Sequence, residues 1–405
     1  MKLSVFTPTH NPKYLAETYQ SLKLQDIQDW EWVIVVNGED TRLPSFTSAD
    51  SRIRVVDDCK SLYNIGAIKR RAVGACTGDI FVELDHDDVL VPKVALTAIR
   101  NKFLEGADFV YSDTALFRYT DESKQNFQPH TFDTRYGWQS YPVAVYGTQL
   151  QASRCFDISP RSLAEIYFCP DHVRCWSRKA YYESGGHNPE LSVCDDHELM
   201  IKTYLAGFKF AHTGGCHYLY RLHQNNTVNA RNKQIQDITA KLKERHLPTL
   251  INRWLINHDL HNLDIAELKK TGWKWEYALQ GFGENNFGHI YCDNELQSLE
   301  GWQITEFLNE AYRALVPGGY LTIIVPDAVS GAGYINVNWR SRFSRFSFLP
   351  YTDREHTYPE VRCRFQEVNC SAVYKSTQQH RQGIKYWKFE LVALKGQRHP
   401  GLQLI

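Results

Sequence analysis

Apolar and polar positions in the first 115 residues predict strands and helices taking turns. Leu3–Thr7 is an apolar run that predicts a short strand, closed by the turn Pro8-Thr9-His10-Asn11-Pro12. Tyr14–Leu24 has helical spacing, and Trp32–Val36 is a second apolar run, ending at Asn37-Gly38. Ile53–Val56 predicts a third strand. Ile65, Ile68, Ala72 and Ala75 fall on one side of a helix spanning Asn64–Cys76, which Gly78 stops. Ile80–Leu84 then reads as a buried central strand, Pro92–Phe103 as a helix and Phe109–Ser112 as a further strand. Such βαβ alternation predicts an α/β fold built on a parallel, doubly wound sheet.

Residues 117–165 lose this rhythm and gather aromatic side chains, among them Phe132, Tyr136, Trp138, Tyr141 and Tyr146. A long irregular stretch inside a compact domain is usually functional. Regular patterning returns with a strand at His172–Ser177, a helix at Arg178–Ser184, the pair Gly185-Gly186, a helix at Asp196–Ala206 and a strand at His217–Arg221. Helical spacing then continues to about Asn257. A second α/β pattern follows, with a helix at Ile304–Leu315, the turn Pro317-Gly318-Gly319, an apolar strand Tyr320–Val325 and a terminal strand Lys388–Lys395. The expected organisation is a first domain over 1–230, a helical connector over 231–265 and a smaller α/β domain over 266–405.

Composition narrows the function classes. The 405 residues suffice for two or three cores, and 46 basic residues balance 46 acidic ones, so no global field favours nucleic acid or anionic lipid. Ten scattered cysteines without a CxxC pair predict reduced thiols in a cytoplasmic protein, with a secreted disulfide protein as the weaker alternative. Met1–Phe6 leads directly into a strand, with no signal peptide expected. No apolar run approaches the length of a membrane span, so no membrane insertion is expected.

Candidate chemistry centres on Asp85-His86-Asp87-Asp88, directly after the central strand. Carboxylates at that strand edge, where α/β sheets bind ligands, can hold a hard divalent cation. The bland alternative makes Asp88 the cap of the next helix, with Pro92 in its first turn.

Five further signals come in order: Thr7-Pro8-Thr9-His10-Asn11, Trp32–Val36 with Asn37-Gly38-Glu39-Asp40, Asn64-Ile65-Gly66 through Gly78-Asp79, Asp195-Asp196-His197-Glu198-Leu199, and Tyr220-Arg221-Leu222-His223. With Asp85-His86-Asp87 as its D-x-D motif, residues 1–230 resemble the family 2 glycosyltransferases, which have the A-type nucleotide-sugar fold, a Rossmann-like mixed sheet flanked by helices. The resemblance implies transfer of a sugar from a nucleotide diphosphate donor, with a UDP-sugar as the default, to an acceptor hydroxyl on a glycan or cell-surface polysaccharide precursor. It implies Asp87 and His223, with Asp85, as ligands of Mn²⁺ or Mg²⁺, and Asp85 otherwise on the ribose. It implies Asp196 as the base of an inverting displacement, with Asp195 in reserve where the family often has Glu. Helix capping by these adjacent acids is the structural alternative.

Donor contacts are expected from Thr7, Pro8, Thr9, Asn11, Asn37, Glu39, Asn64, Lys69, Asp85 and His86, and acceptor contacts from the aromatic stretch 132–146 and from His172, Arg174, Trp176 and Gly186. Asn37 stands where the family usually has the acid that reads the base, which leaves the nucleotide open. Lys69, Arg70 and Arg71 could offer one phosphate contact among otherwise solvated charges.

The later part resembles the second half of a class I methyltransferase, but no strand leads into a G-x-G loop, and Gly281-Phe282-Gly283 follows no convincing strand. That resemblance implies a degenerate accessory domain, with S-adenosylmethionine an unlikely ligand. Trp339–Phe346 interleaves arginine with aromatics, which keeps a hydroxylated DNA base open as an alternative acceptor beside the reading of an ordinary surface loop. A non-catalytic binding protein on a transferase fold is the alternative from another class. Oligomeric state is left open, a homo-oligomer included.

Overall fold

The structure, a computed structural model, describes residues 1–38, 42–56, 64–119, 127–129, 138–224, 226–274 and 279–396. It divides into two compact units, Met1–Arg253 and Trp254–His399. The stretch 231–265, expected as a connector, falls on the helix Thr227–Asn257, which has a non-helical residue at Arg231, and on the short elements that follow.

In the first unit the strands are β1 (Leu3–Thr9), β2 (Trp30–Val36), β3 (Ile53–Val56), β4 (Ile80–Glu83), β5 (Val89–Leu90), β6 (Phe109–Tyr119), β7 (Phe127–Pro129), β8 (Ser140–Val145), β9 (Thr148–Ser153), β10 (Arg174–Ser177) and β11 (Phe210–Arg221). The main path runs β3-β2-β1-β4-β10-β6-β11-β5, with β7 and the β8–β9 hairpin paired outside it. β1, β2, β3 and β4 are mutually parallel, as the βαβ pattern requires. β10 is antiparallel to both β4 and β6, and β5 is antiparallel to β11. The sheet is therefore mixed α/β rather than purely parallel.

Every residue of β1, β2 and β4 is buried, because helices cover both faces. Period-two alternation sorts the side chains between two cores. Val5, Trp32, Ile34 and Val82 pack on one face, while Phe6, Val33, Val35 and Phe81 pack on the other. Part of the 117–165 stretch has regular structure: β6 runs on to Tyr119, and the β8–β9 hairpin and a helix at Pro160–Glu165 follow. Phe132 and Tyr136 lie outside the described residues.

The second unit holds β12 (His261–Asp264), β13 (Phe287–Asp293), β14 (Leu315–Pro326), β15 (Phe365–Val373) and β16 (Tyr386–Ala393), in the order β12-β13-β14-β16-β15. The first three are parallel, and β16 is antiparallel to both its neighbours. The helix Gly301–Ala314 buries Ile304, Phe307, Leu308 and Ala311 at helical spacing and starts on a Glu300/Gln303 capping box. Its core is continuous with Leu321, Ile323, Val325, Phe389 and Leu391 of the sheet. No described helix is long and apolar enough to cross a membrane, and the described cysteines are all free.

Candidate active site

The carboxyl ends of β1 and β4 open on a cleft of about 1580 Å³. Asp85, His86 and Asp87 follow β4 into it, and Asp196 and His223 arrive from residues more than a hundred positions away. His223 Nε2 lies 2.7 Å from Asp87 Oδ2. Burial pushes the Asp87 carboxyl up, but the hydrogen bond from His223 and the charge of His86 outweigh it and hold the group below its ordinary value. Asp85 moves the other way: burial dominates, Glu83 and Asp87 add like charge, and the group is raised although Lys69 and His172 oppose the shift. His172 Nε2 stands 3.8 Å from Asp85 Oδ2, and its ring stacks on Tyr218.

Asp88 neither caps a helix nor faces the cleft. It is buried, accepting from the Tyr218 hydroxyl (2.9 Å) and the Arg221 backbone N–H (2.7 Å). Arg221 Nε in turn donates to the Asp87 carbonyl at 2.6 Å, and Nη2 reaches Glu17 at 2.9 Å. The Tyr220-Arg221-Leu222-His223 segment thus clamps the acidic turn from β11 while presenting His223 to Asp87.

The second acidic pair opens the helix Asp195–Leu205. Its cap is Cys194, in a left-handed conformation without a side-chain cap bond, so both acids lie inside the first turn. Asp196 lines the cleft and pairs with the buried guanidinium of Arg174 from β10, while its Oδ1 accepts the His197 backbone N–H at 2.7 Å. Burial opposes its ionisation, but the charges of Arg174 and Lys69 outweigh that and lower it. Asp195 is more enclosed and is raised, because burial and the Asp196 charge exceed the pull of Lys69.

Behind these acids lies a charged cluster that the motif reading missed. Lys69 Nζ is 2.7 Å from Glu83 Oε1 and 3.5 Å from Asp195 Oδ2, and His187 Nε2 lies 3.7 Å from both Glu83 and Asp195. Lys69, expected as a donor contact, lines the cleft with its ammonium tied into this cluster. The readable signal was Glu83 itself, a charge inside the apolar run Ile80–Leu84, which had to find a partner. Glu83, His172 and Asp196 bring ligand atoms within 4.8 Å of one another. Lys69 and Arg174 already neutralise Glu83 and Asp196, so a cation is better served by Asp85, Asp87 and His223.

The remaining expected contacts divide. Pro8, Asn11 and Asn37 line the cleft, and Asn37 Oδ1 is buried with no hydrogen-bond partner among the described residues, a polar atom that a base or ribose could use. Thr7 and Thr9 are fully buried, and the Thr7 hydroxyl is consumed between the Trp32 indole (2.8 Å) and the Leu84 carbonyl (2.6 Å). Asn64 starts the helix Ile65–Gly74, its carbonyl accepting the first N–H groups. Gly66 two residues on is required by packing: a Cβ there would stand 2.0 Å from the Asn188 carbonyl oxygen. Glu39 and Asp40 lie outside the described residues.

Of the expected acceptor residues, His172 lines the cleft. Trp176 does not: β10 is a central strand, so the indole is fully buried, donating to Thr203 at 3.2 Å against Phe109 and Tyr181. Gly186 turns the chain at φ +64° with its α-carbon against the Tyr181 ring, which is a turn rather than a sugar contact. Trp138, from the expected aromatic stretch, lines the cleft stacked on Phe168, and Tyr167 completes an aromatic wall with them.

Residues 4–169 match the family model for Glycosyl transferase family 2. The matched residues lie within the first unit, and the match indicates a glycosyltransferase there. The match includes Asp85 and Asp87 but ends before Asp195 and His223. Among solved structures, the chain is similar to S. aureus TarS 1–349, at 15% identity and a TM-score of 0.42, over 78% of this chain and 81% of that one. The TarS 1–349 complex with UDP-GlcNAc is similar at 15% identity and a TM-score of 0.41, over 62% and 79%. A likeness of this degree says nothing about donor or acceptor. No curated protein matches the chain.

Proposed function

We propose that the first unit, an A-type catalytic domain, is a divalent-metal-dependent, inverting glycosyltransferase that moves a sugar from a nucleotide diphosphate donor to an acceptor hydroxyl on a glycan. The observation that carries this reading is one cleft lined by Asp85, Asp87, His223 and Asp196 together. Two carboxylates and an imidazole are a donor set suited to Mn²⁺ or Mg²⁺, and the raised Asp85 carboxyl marks a spot where negative charge lacks compensation. Asp87, His223 and Asp85 would hold the ion. When bound, it neutralises charge growing on the diphosphate leaving group.

Asp196 takes the acceptor proton. The acceptor oxygen bonds to the anomeric carbon as the bond from that carbon to the diphosphate oxygen breaks, and the hydroxyl proton passes to the Asp196 carboxylate. Arg174 keeps that carboxylate ionised and, with the His197 N–H, fixes its orientation. Asn37, with its unpartnered Oδ1, faces the donor end, and uridine is the default base that the family resemblance implies. Aromatic faces at Trp138, Tyr167 and Phe168 suit the apolar face of an acceptor sugar.

For the second unit we infer a degenerate methyltransferase-like accessory role. In support are the helix Gly301–Ala314, the Pro317-Gly318-Gly319 segment within β14, and the terminal strand β16. β12 passes straight into the helix Ile265–Lys270 with Asp264 as cap, so no glycine loop is available there to cradle a methyl donor.

The deciding experiment is a thermal-shift panel of UDP, GDP, CDP, TDP and ADP with and without Mn²⁺. Metal-dependent stabilisation by one nucleotide supports the reading and names the base. No response from any nucleotide overturns it in favour of a non-catalytic protein. The acceptor search then compares glycans with hydroxymethylated DNA, and transfer to the DNA alone replaces the glycan assignment.

A further inference from the structure

His223 lies past the end of β11, which closes at Arg221, and before the helix that starts at Thr227. The imidazole that meets Asp87 at 2.7 Å is therefore carried on irregular chain. A side chain on such backbone holds a fixed position only where neighbouring groups tie the backbone down.

Asn226 supplies most of those ties. Its Oδ1 accepts the His223 backbone N–H at 2.6 Å, and its Nδ2 donates to the Arg221 carbonyl at 3.0 Å and to the Tyr220 hydroxyl at 3.4 Å. The His223 carbonyl accepts the Asn226 N–H at 3.3 Å and Nδ2 of Asn229 at 3.2 Å. Helix capping accounts for the Asn226 backbone, because its carbonyl accepts the Asn229 N–H at 2.9 Å. It does not account for the side chain. A capping Asn directs Oδ1 forward onto the N–H groups of the first turn, whereas this Oδ1 reaches back to His223. The residue borders the cleft but is only 5% exposed, with its amide turned onto the segment that bears the imidazole. Tyr14 flanks the imidazole itself, its ring within 24° of parallel at 6.0 Å, and the Arg221 guanidinium lies over the same tyrosine at 4.2 Å.

We propose that Asn226, assisted by Asn229, is a positioning residue for the divalent ion: by fixing the backbone on both sides of His223 it sets the imidazole against Asp87 and so sets metal affinity. The inference rests on the reading of Asp87 and His223 as metal ligands. Without the Asn226 amide the His223 N–H and the Arg221 carbonyl each lose a partner, and the imidazole loses its register with Asp87. Metal–ligand distances tolerate only about 0.2 Å, so a small displacement of the loop is enough to weaken the site.

Electron paramagnetic resonance of free Mn²⁺, titrated with the full chain with and without UDP, reads metal binding without turnover. N226A should weaken Mn²⁺ binding by about 10- to 100-fold, the range for loss of a group that orients a metal ligand. Asn229 is exposed, so N229A should fold normally and weaken binding by about threefold, which keeps the test decisive if N226A does not fold. UDP affinity at saturating Mn²⁺, measured by calorimetry, should match the parent in both variants. Parent-like Mn²⁺ affinity in folded N226A overturns the proposal, as it does in N229A where N226A fails to fold. A lowered melting temperature with unchanged Mn²⁺ affinity overturns it too, because the asparagine would then serve folding alone. So does a UDP affinity that falls equally at every Mn²⁺ concentration, which would make Asn226 a donor contact. A parent chain that binds no Mn²⁺ removes the metal reading and this inference with it, whereas parent-like variants of a Mn²⁺-binding parent remove this inference alone.

Discussion

Lys69 Nζ lies 2.7 Å from Glu83 Oε1 and 3.5 Å from Asp195 Oδ2, so one buried ammonium joins the strand that leads to the metal-type acids and the helix that starts with the base pair. Burial alone would lower the Lys69 pKa, yet Asp195 and Glu83 outweigh it and hold the group well above its ordinary value. Glu83 is correspondingly held well below its own, because the charges of Lys69 and Arg174 exceed its burial cost. Cutting one member should cost more than the pair is worth, since the other is left charged and dry. K69M should destabilise the protein by about 3–5 kcal/mol, and K69M/E83M should recover part of that loss. Urea unfolding followed by circular dichroism measures both. A K69M loss below about 1 kcal/mol would mean that solvent reaches Glu83.

Asp196 carries the chemistry in the proposed mechanism and little of the donor site. D196N should retain nucleotide binding and lose about 10²- to 10⁴-fold in kcat, the range for removal of a general base. The sign of the pH dependence follows from its partner: Arg174 lowers Asp196, so weakening that pair must raise it. R174K, which keeps the charge but loses the planar fork, should move the acid limb of kcat/KM to higher pH. An unmoved limb with a changed KM would make Arg174 a substrate contact instead.

Much of this arrangement is legible in the chain because β1, β2 and β4 alternate cleanly between two cores. Val5 and Phe6, or Val82 and Phe81, fall on opposite faces as period two demands. The acidic turn after β4 was readable for the same reason, being the first polar break after a buried run. Pairings across distance were not readable. Helical spacing puts Lys69 on the face of Ile65, Ile68 and Ala72, but nothing local says which carboxylates it meets there. Nor does the sequence say that β10 enters antiparallel between β4 and β6, which removes Trp176 from the cleft and puts Arg174 beside Asp196. Of the aromatic wall, Trp138 lies in the stretch expected to meet the acceptor, while Tyr167 and Phe168 escaped because they sit in an irregular segment, where no periodicity assigns a face.

His223 and Asp87 form the contact that should report on metal. H223A removes the imidazole donor and frees Asp87, while D87A removes a carboxylate from the same pair. Both should abolish the Mn²⁺-dependent part of nucleotide stabilisation, with D87A the more severe because it loses charge as well as a ligand. Calorimetric titration of the nucleotide at fixed Mn²⁺ measures this. Unchanged affinity in both variants would move the ion elsewhere, with Glu83, His172 and Asp196 the next set to test.

The second unit contains its own acid-sensitive group. Burial pushes the His289 imidazole from 6.5 down to about 4, against the opposing charge of Glu390, and its Nε2 meets the Thr322 hydroxyl at 2.9 Å. The unfolded chain therefore binds a proton between pH 6.5 and 4 that the folded chain refuses, so stability falls as pH falls through that window. Above about pH 6.5 the contribution is complete, and below about 4 nothing more is lost. The full swing is on the order of 3 kcal/mol. H289Q can keep a hydrogen bond to Thr322 but cannot take up the proton. Its stability relative to the parent should therefore rise steadily from pH 7 to pH 4.5, measured by denaturant unfolding read from this unit. Parallel curves for parent and variant would show that His289 already takes its proton in the folded state.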